Sequence, residues 1–120
     1  MFVPHFSSSM SATVYFYVKG KVQNVMFRQT IMRGSIKRQI IAGATNHKED
    51  RNRVDVTLQG DQKKIDEIIT KLRSGEEINS WHARCDEVIM QENGKAPLEH
   101  EVNTSNVDSI KWAGGVKFYL

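Results

Sequence analysis

Nine consecutive residues, Gly20-Lys21-Val22-Gln23-Asn24-Val25-Met26-Phe27-Arg28, carry the most legible chemistry of this chain. They run from a strand-like segment into a helix-like one through a short loop that ends on an arginine. Such a loop can aim several backbone N–H groups at one point, and the N-terminus of the following helix adds its own. Arg28 supplies a planar charged fork whose geometry suits a phosphate. The combination describes a cradle for a small anion. Its donors would be loop and helix N-terminal amides, and its cation Arg28.

The flanking elements must hold that loop in shape. Residues 13–19 alternate, with Val14, Phe16 and Val18 on one face and Thr13, Tyr15 and Tyr17 on the other, which predicts a strand. Residues 27–39 read as a helix with Phe27, Ile31 and Ile36 roughly on one stripe, weakened by Gly34 in its interior. Residues 40–46 form a short apolar run of small residues, consistent with a buried strand, and Val54, Val56 and Leu58 alternate as a third strand. The second helix has Asp61 as its N-cap, an apolar stripe at Ile65, Ile68, Ile69 and Leu72, a Glu67–Lys71 pair and Gly75 as its stop. Residues 83–91 predict a fourth strand whose alternation slips between Cys85 and Val88, as at a bulge. Val116, Phe118 and Leu120 predict a last strand. This order gives an α+β fold, a ferredoxin-like split βαβ sandwich: an antiparallel sheet with two helices on one face. The polar stretch 93–115 is long for a compact connection and reads as mobile.

Composition narrows the classes further. A chain of 120 residues is expected to form one domain with a modest core. No apolar run approaches a membrane span, and the first ten residues have neither the basic nor the apolar region of a secretory signal. Cys85 is the only cysteine, which excludes an internal disulfide and suits a reducing, cytoplasmic setting. In that setting the Asn103-Thr104-Ser105 sequon is not expected to be glycosylated. The net charge of +3 is unevenly spread: residues 19–53 carry nine basic and two acidic side chains, residues 54–120 eight and twelve. The positive half holds the cradle, and its field would draw in a small anion. Arg33, Lys37 and Arg38 read equally well as a solvated helix face.

The loop closely resembles the acylphosphatase signature G-x-V-Q-G-V-x-F-R. Only Asn24 departs from it, where the family has glycine. Asparagine visits the left-handed region at a cost of about 1 kcal/mol relative to glycine, so the loop is expected to keep its shape with φ > 0 at Asn24. The resemblance implies that Arg28 and the loop amides of residues 21–27 bind the substrate phosphate. It also implies a catalytic asparagine after the next strand, in a pattern like G-W-V-x-N. Here Ala42-Gly43-Ala44-Thr45-Asn46 places Asn46 at that point, without the tryptophan. Residues 1–11 are then an N-terminal tail and residues 12–120 an acylphosphatase-like domain. The implied activity is hydrolysis of acyl phosphates to a carboxylate and inorganic phosphate. The resemblance implies no metal, no cofactor and no covalent intermediate, and a monomer that binds neither nucleic acid nor membrane.

Physical chemistry agrees with that assignment. A carboxylate leaves without needing a proton, so the reaction depends on positioning and on stabilising charge at the phosphoryl oxygens. Asn46 could orient the attacking water through its carboxamide. One further expectation is that the α-carboxylate of Leu120 pairs with Arg28. Cys85 reads as a small buried hydrophobe, His47 as a turn residue, and Trp81 and Trp112 as packing under loops. Two rival readings remain: a non-catalytic anion-binding domain of the same fold, and an RNA-binding module using Tyr15 and Tyr17, for which no RNP1-like run follows.

Overall fold

Val14, Phe16 and Val18 turn to the helix-facing side of the sheet, and Phe16 and Val18 are fully buried there. The computed structural model describes residues 10–120. The tail expected over residues 1–11 lies, apart from Met10 and Ser11, outside the described residues. The first strand, β1 (Ser11–Lys21), is central and pairs antiparallel with β3 (Arg53–Asp61) and β4 (Arg84–Gln91). β2 (Ile41–Asn46) pairs antiparallel with β3 on one side and with the two-residue β5 (Val102–Asn103) on the other. The sheet order is β4-β1-β3-β2-β5. Helices α1 (Phe27–Lys37) and α2 (Gln62–Arg73) follow β1 and β3. Their buried stripes, Phe27, Ile31 and Met32 on α1 and Ile65, Ile68 and Leu72 on α2, close a single core over the sheet. This is the expected ferredoxin-like α+β architecture.

Local chemistry explains most boundaries. The Asp61 side chain accepts from the Lys63 N–H and caps α2. Gly75, at φ 76°, follows its end. The slip anticipated in β4 is a bulge: Lys19 pairs with Glu87 and Gly20 with Cys85, leaving Asp86 as the extra residue. Ile36 differs from expectation. It is 42% exposed, because the buried face of α1 runs through Phe27, Ile31 and Met32 to Gly34 and Ser35 and leaves Ile36 outside. Glu67 pairs with Arg38 and Lys64 rather than with Lys71, whose partner is Glu76.

The chain beyond β4 departs most from the sequence reading. The stretch 93–115 is ordered rather than mobile. A 3-10 turn at Pro97–Glu99 leads into β5, and a second at Val107–Ser109 follows. His100, Val102, Asn103 and Val107 anchor it by burial. It therefore supplies the fifth strand that residues 116–120 were expected to form. Those residues instead run along the loop before β4 as extended chain, with one bridge between Asn79 and Phe118 and a bond from the Tyr119 N–H to the Ile78 carbonyl. A three-residue alternation cannot distinguish a strand from extended coil when only Leu120 is buried.

Leu120 packs against Gly34, where a Cβ would lie 2.9 Å from its side chain. The helix interior thus carries glycine because the chain end rests on it. The Leu120 carbonyl accepts from Lys37 Nζ at 3.3 Å, so the expected pairing with Arg28 does not form.

The uneven charge resolves into contacts between the two halves. Arg28 pairs with Glu101, Arg33 with Asp108 and Arg38 with Glu67. The basic face of α1 is therefore docked by acids from the second half of the chain.

Gly43 of β2 shows how tightly residues 97–100 cover the other sheet face. A Cβ there would come within 2.0 Å of the Pro97 carbonyl oxygen and 2.8 Å of the His100 ring. We expect Gly43→Ala to destabilise the fold by at least about 2 kcal/mol, since backbone rather than a flexible side chain must give way. Urea denaturation would read this as a lowered midpoint, and an unchanged midpoint would contradict the packing described.

Candidate active site

The loop between β1 and α1 takes left-handed conformations at two non-glycine residues. Asn24 has φ 64°, the sign expected from sequence, and Met26, which precedes α1, has φ 60°. Each costs about 1–2 kcal/mol unless its surroundings enforce it. Three side chains do so. Gln23 Nε2 lies within 3.2 Å of the carbonyls of His47, Asp50 and Arg53, tying the loop to the β2–β3 hairpin. Thr30 Oγ1 donates to the Met26 carbonyl at 2.7 Å. Asn79, fully buried, donates from Nδ2 to the Val25 carbonyl and to Thr30 Oγ1, both at 2.8 Å.

The result is a row of open donors. No side chain caps α1, and its first turn holds no acid. Among the described residues nothing accepts from the backbone N–H groups of residues 24–29. Alternating backbone of this kind at a helix N-terminus forms a nest suited to an anion. Arg28 leaves the same turn. Its Nη1 donates to Glu101 Oε1 at 2.8 Å, while no described group accepts from Nε or Nη2. Burial pulls its pKa below the ordinary value and Glu101 opposes this; arginine keeps its charge regardless.

A cavity of about 210 Å³ opens onto the cradle, where Val22, Asn24, Met26, Phe27 and Arg28 line it. Trp81, Lys111, Trp112 and Ala113 share that lining. Lys21, Gln23 and Val25 lie outside its lining, and so does Asn46. Lys21 sits at the end of β1 opposite Arg84. Gln23 and Val25 serve through the bonds that shape the loop.

Asn46 ends β2 on the same face as the buried Ala42 and Ala44, which is the face toward the helices. Its Oδ1 is buried and has no hydrogen-bond partner. An unsatisfied buried acceptor costs about 1–3 kcal/mol, so a retained one asks for an explanation. The next residue, His47, receives the Gln23 bond through its carbonyl, which couples the end of β2 directly to the cradle loop. The His47 ring accepts from the Glu49 and Asp50 N–H groups, as a turn residue should.

Several participants were missed or misread at the level of sequence. Trp81 and Trp112 both line the cavity; Trp112 also packs against the core as expected, and the Val107 carbonyl accepts from its Nε1 at 2.8 Å. Glu101 is 73 residues from Arg28, and no local pattern marks it. Asn79 carries no motif either.

Glu101 is itself held by a relay that runs inward to the buried His100. Its N–H donates to Thr45 Oγ1 at 3.1 Å, and Thr45 lies 2.9 Å from His100 Nδ1. The opposite ring nitrogen, Nε2, lies 2.8 Å from Thr57 Oγ1, whose own proton goes to the Lys95 carbonyl. Thr57 can therefore only accept from the ring, which fixes the proton on Nε2 and leaves Nδ1 to accept from Thr45. A second proton on His100 Nδ1 would displace the Thr45 hydroxyl proton and break the relay. Burial, then Lys95, lowers its pKa from the ordinary 6.5, with Asp55 and Glu99 opposing. The unfolded chain then takes up a proton that the folded one refuses, so stability falls as pH drops below about 6.5. We expect His100→Gln to flatten this dependence. Urea midpoints at pH 7.5 and 5.0 would show a smaller drop in the variant, and equal drops would contradict the relay.

A second cavity, of about 260 Å³, lies on the other sheet face beside Tyr15, Arg53, Asp55, Thr57 and His100. Its arginine is committed, bonded to Asp55 at 2.9 Å and stacked 3.9 Å above the Tyr17 ring. Gly94 closes on Tyr15, where a Cβ would meet the ring system at 2.9 Å. The two tyrosines thus lie on the face that an RNA-binding module would use, but the chain's own segments occupy it. Among the described residues, no group of three His, Cys, Asp or Glu side chains could hold a metal ion, and no helix is long and apolar enough to cross a membrane.

The structure is an α+β domain with a row of open backbone donors and an arginine at the β1–α1 turn. A family model, acylphosphatase, matches residues 14–103. The chain belongs to the acylphosphatase family. The crystal structure of acylphosphatase from Bacillus subtilis is similar to it with a TM-score of 0.54 and 19% identity, over 73% of this chain and 92% of that one. No curated protein matches the sequence significantly.

Proposed function

We propose that this protein hydrolyses the carboxyl–phosphate bond of acyl phosphates. The observation that carries the reading is the pairing, at one cavity, of an uncapped nest of backbone donors with an arginine fork whose Nε and Nη2 are free. The phosphoryl group sits in the nest, and two N–H groups of Arg28 reach its equatorial oxygens. We assign the in-line water to the Asn46 carboxamide, at the end of β2 that the Gln23–His47 bond ties to the cradle loop. The water oxygen bonds to phosphorus as that bond breaks. The acyl phosphate dianion and water give a carboxylate and dihydrogen phosphate, so charge and atoms balance. A carboxylate with an ordinary pKa near 4 leaves without a proton donor.

Cys85 has no part in the reaction: burial pushes its thiol up to about 12, which keeps it unreactive. A lone buried thiol suits the cytoplasmic setting we assign. The substrate is a small acyl phosphate, and the protein works as a monomer without a cofactor. The test is steady-state hydrolysis of benzoyl phosphate in the presence of a chelator. Turnover that survives the chelator is expected; a folded protein that binds phosphate without turnover would instead be the anion-binding domain.

A further inference from the structure

We propose that the space beside the cradle is an acyl subsite that selects acyl phosphates with a flat aromatic acyl group. The inference rests on the hydrolase reading for its substrate, but its geometry is separate. The cradle residues share the lining of the 210 Å³ cavity with two indoles, Trp81 and Trp112, and with Ala113. A group bonded to a phosphoryl in the nest has those indoles beside it. Two indole faces are the surfaces on which a single aromatic ring gains most, by stacking or edge-to-face contact. The volume lies below the roughly 300 Å³ at which drug-sized pockets begin, which limits the acyl group to about one ring.

The Trp112 indole and the Trp81 backbone are held in place by hydrogen bonds. Trp112 is anchored by its bond to the Val107 carbonyl, and Val107 is itself fully buried. The backbone N–H of Trp81 donates to Asn79 Oδ1 at 2.9 Å, which fixes the chain from which that indole projects. The same Asn79 holds the Val25 carbonyl, so one buried side chain sets the spacing between the indole wall and the cradle loop. Residues 111–113 lie beyond the span 14–103 matched by the family model, so the Trp112 part of this wall comes from this chain's later segment while Trp81 lies within the matched span. Lys111 adds an exposed positive charge at the rim, where it favours the dianionic end of the substrate.

Stable phosphonates separate this subsite from catalysis. Calorimetric titration of the wild type should show benzylphosphonate binding about tenfold more tightly than methylphosphonate. Trp112→Leu and Trp81→Leu should each reduce that preference while leaving methylphosphonate affinity unchanged. Equal affinity for the two ligands in the wild type, or equal loss of both in the variants, would overturn the proposal. The wild-type comparison decides even if a variant fails to fold. Benzoyl phosphate turnover on the same samples reports on the hydrolase reading separately. Preference without turnover upholds the subsite and contradicts catalysis, and turnover without preference does the reverse.

Discussion

Arg28→Ala should lower kcat/KM for an acyl phosphate by about 10³-fold or more and abolish inhibition by inorganic phosphate. Removing a single preorganised donor from a charge-stabilising site typically costs about 10²–10³ in rate, and this substitution removes two donors and a full charge. Stability should hardly change. The Arg28–Glu101 pair has one partner more than half exposed, and such pairs contribute roughly 0–1 kcal/mol. Arg28→Lys should recover only part of the loss, because an ammonium keeps the charge but not the fork that leaves Nε and Nη2 directed together. Steady-state kinetics with urea denaturation of the same samples would check all three statements. A large loss of stability in Arg28→Ala would mean that the arginine holds the fold rather than the phosphate.

Asn46→Ala should separate activity from stability in the opposite sense to an ordinary buried substitution. We expect kcat to fall by about 10²–10³-fold with phosphate affinity retained, since the amide orients the water and leaves the phosphoryl contacts alone. The folded protein should be no less stable, and up to about 1 kcal/mol more so. The buried Oδ1 has no partner to lose, and deleting it relieves an unsatisfied acceptor. A variant that loses both activity and stability would show that Asn46 is a structural turn residue. One that keeps full activity would remove it from the mechanism.

The parts legible in the sequence are those fixed by local periodicity and local caps. The alternation of Val14, Phe16 and Val18, the stripe of α2, the Asp61 cap and the slip at Asp86 each follow from neighbours within a few residues. The left-handed turn at Asn24 was legible because few residues other than glycine accept it. The one at Met26 was not, since methionine carries no such signal and is held there by Thr30 and Asn79 from elsewhere in the chain.

Long-range pairing accounts for the rest. β5 is two residues long, too short for any period to register, and it exists because Val102 and Asn103 meet the free edge of β2. Polar composition made residues 93–115 look mobile, yet several of those polar groups are consumed internally: His100 between two threonines, Asn103 by the Ser105 and Asn106 N–H groups. The carboxylate beside Arg28 was expected from the chain end and comes from Glu101 instead. Both guesses satisfy the same electrostatic demand, and only the path of the chain decides between them.

The most direct test of the central claim is hydrolysis of benzoyl phosphate by the wild type in water enriched in oxygen-18. Attack by the Asn46-held water on a phosphoryl group in the Arg28 cradle predicts one labelled oxygen in the inorganic phosphate and none in the benzoate. Label in the benzoate, or no turnover by the folded protein, would contradict it.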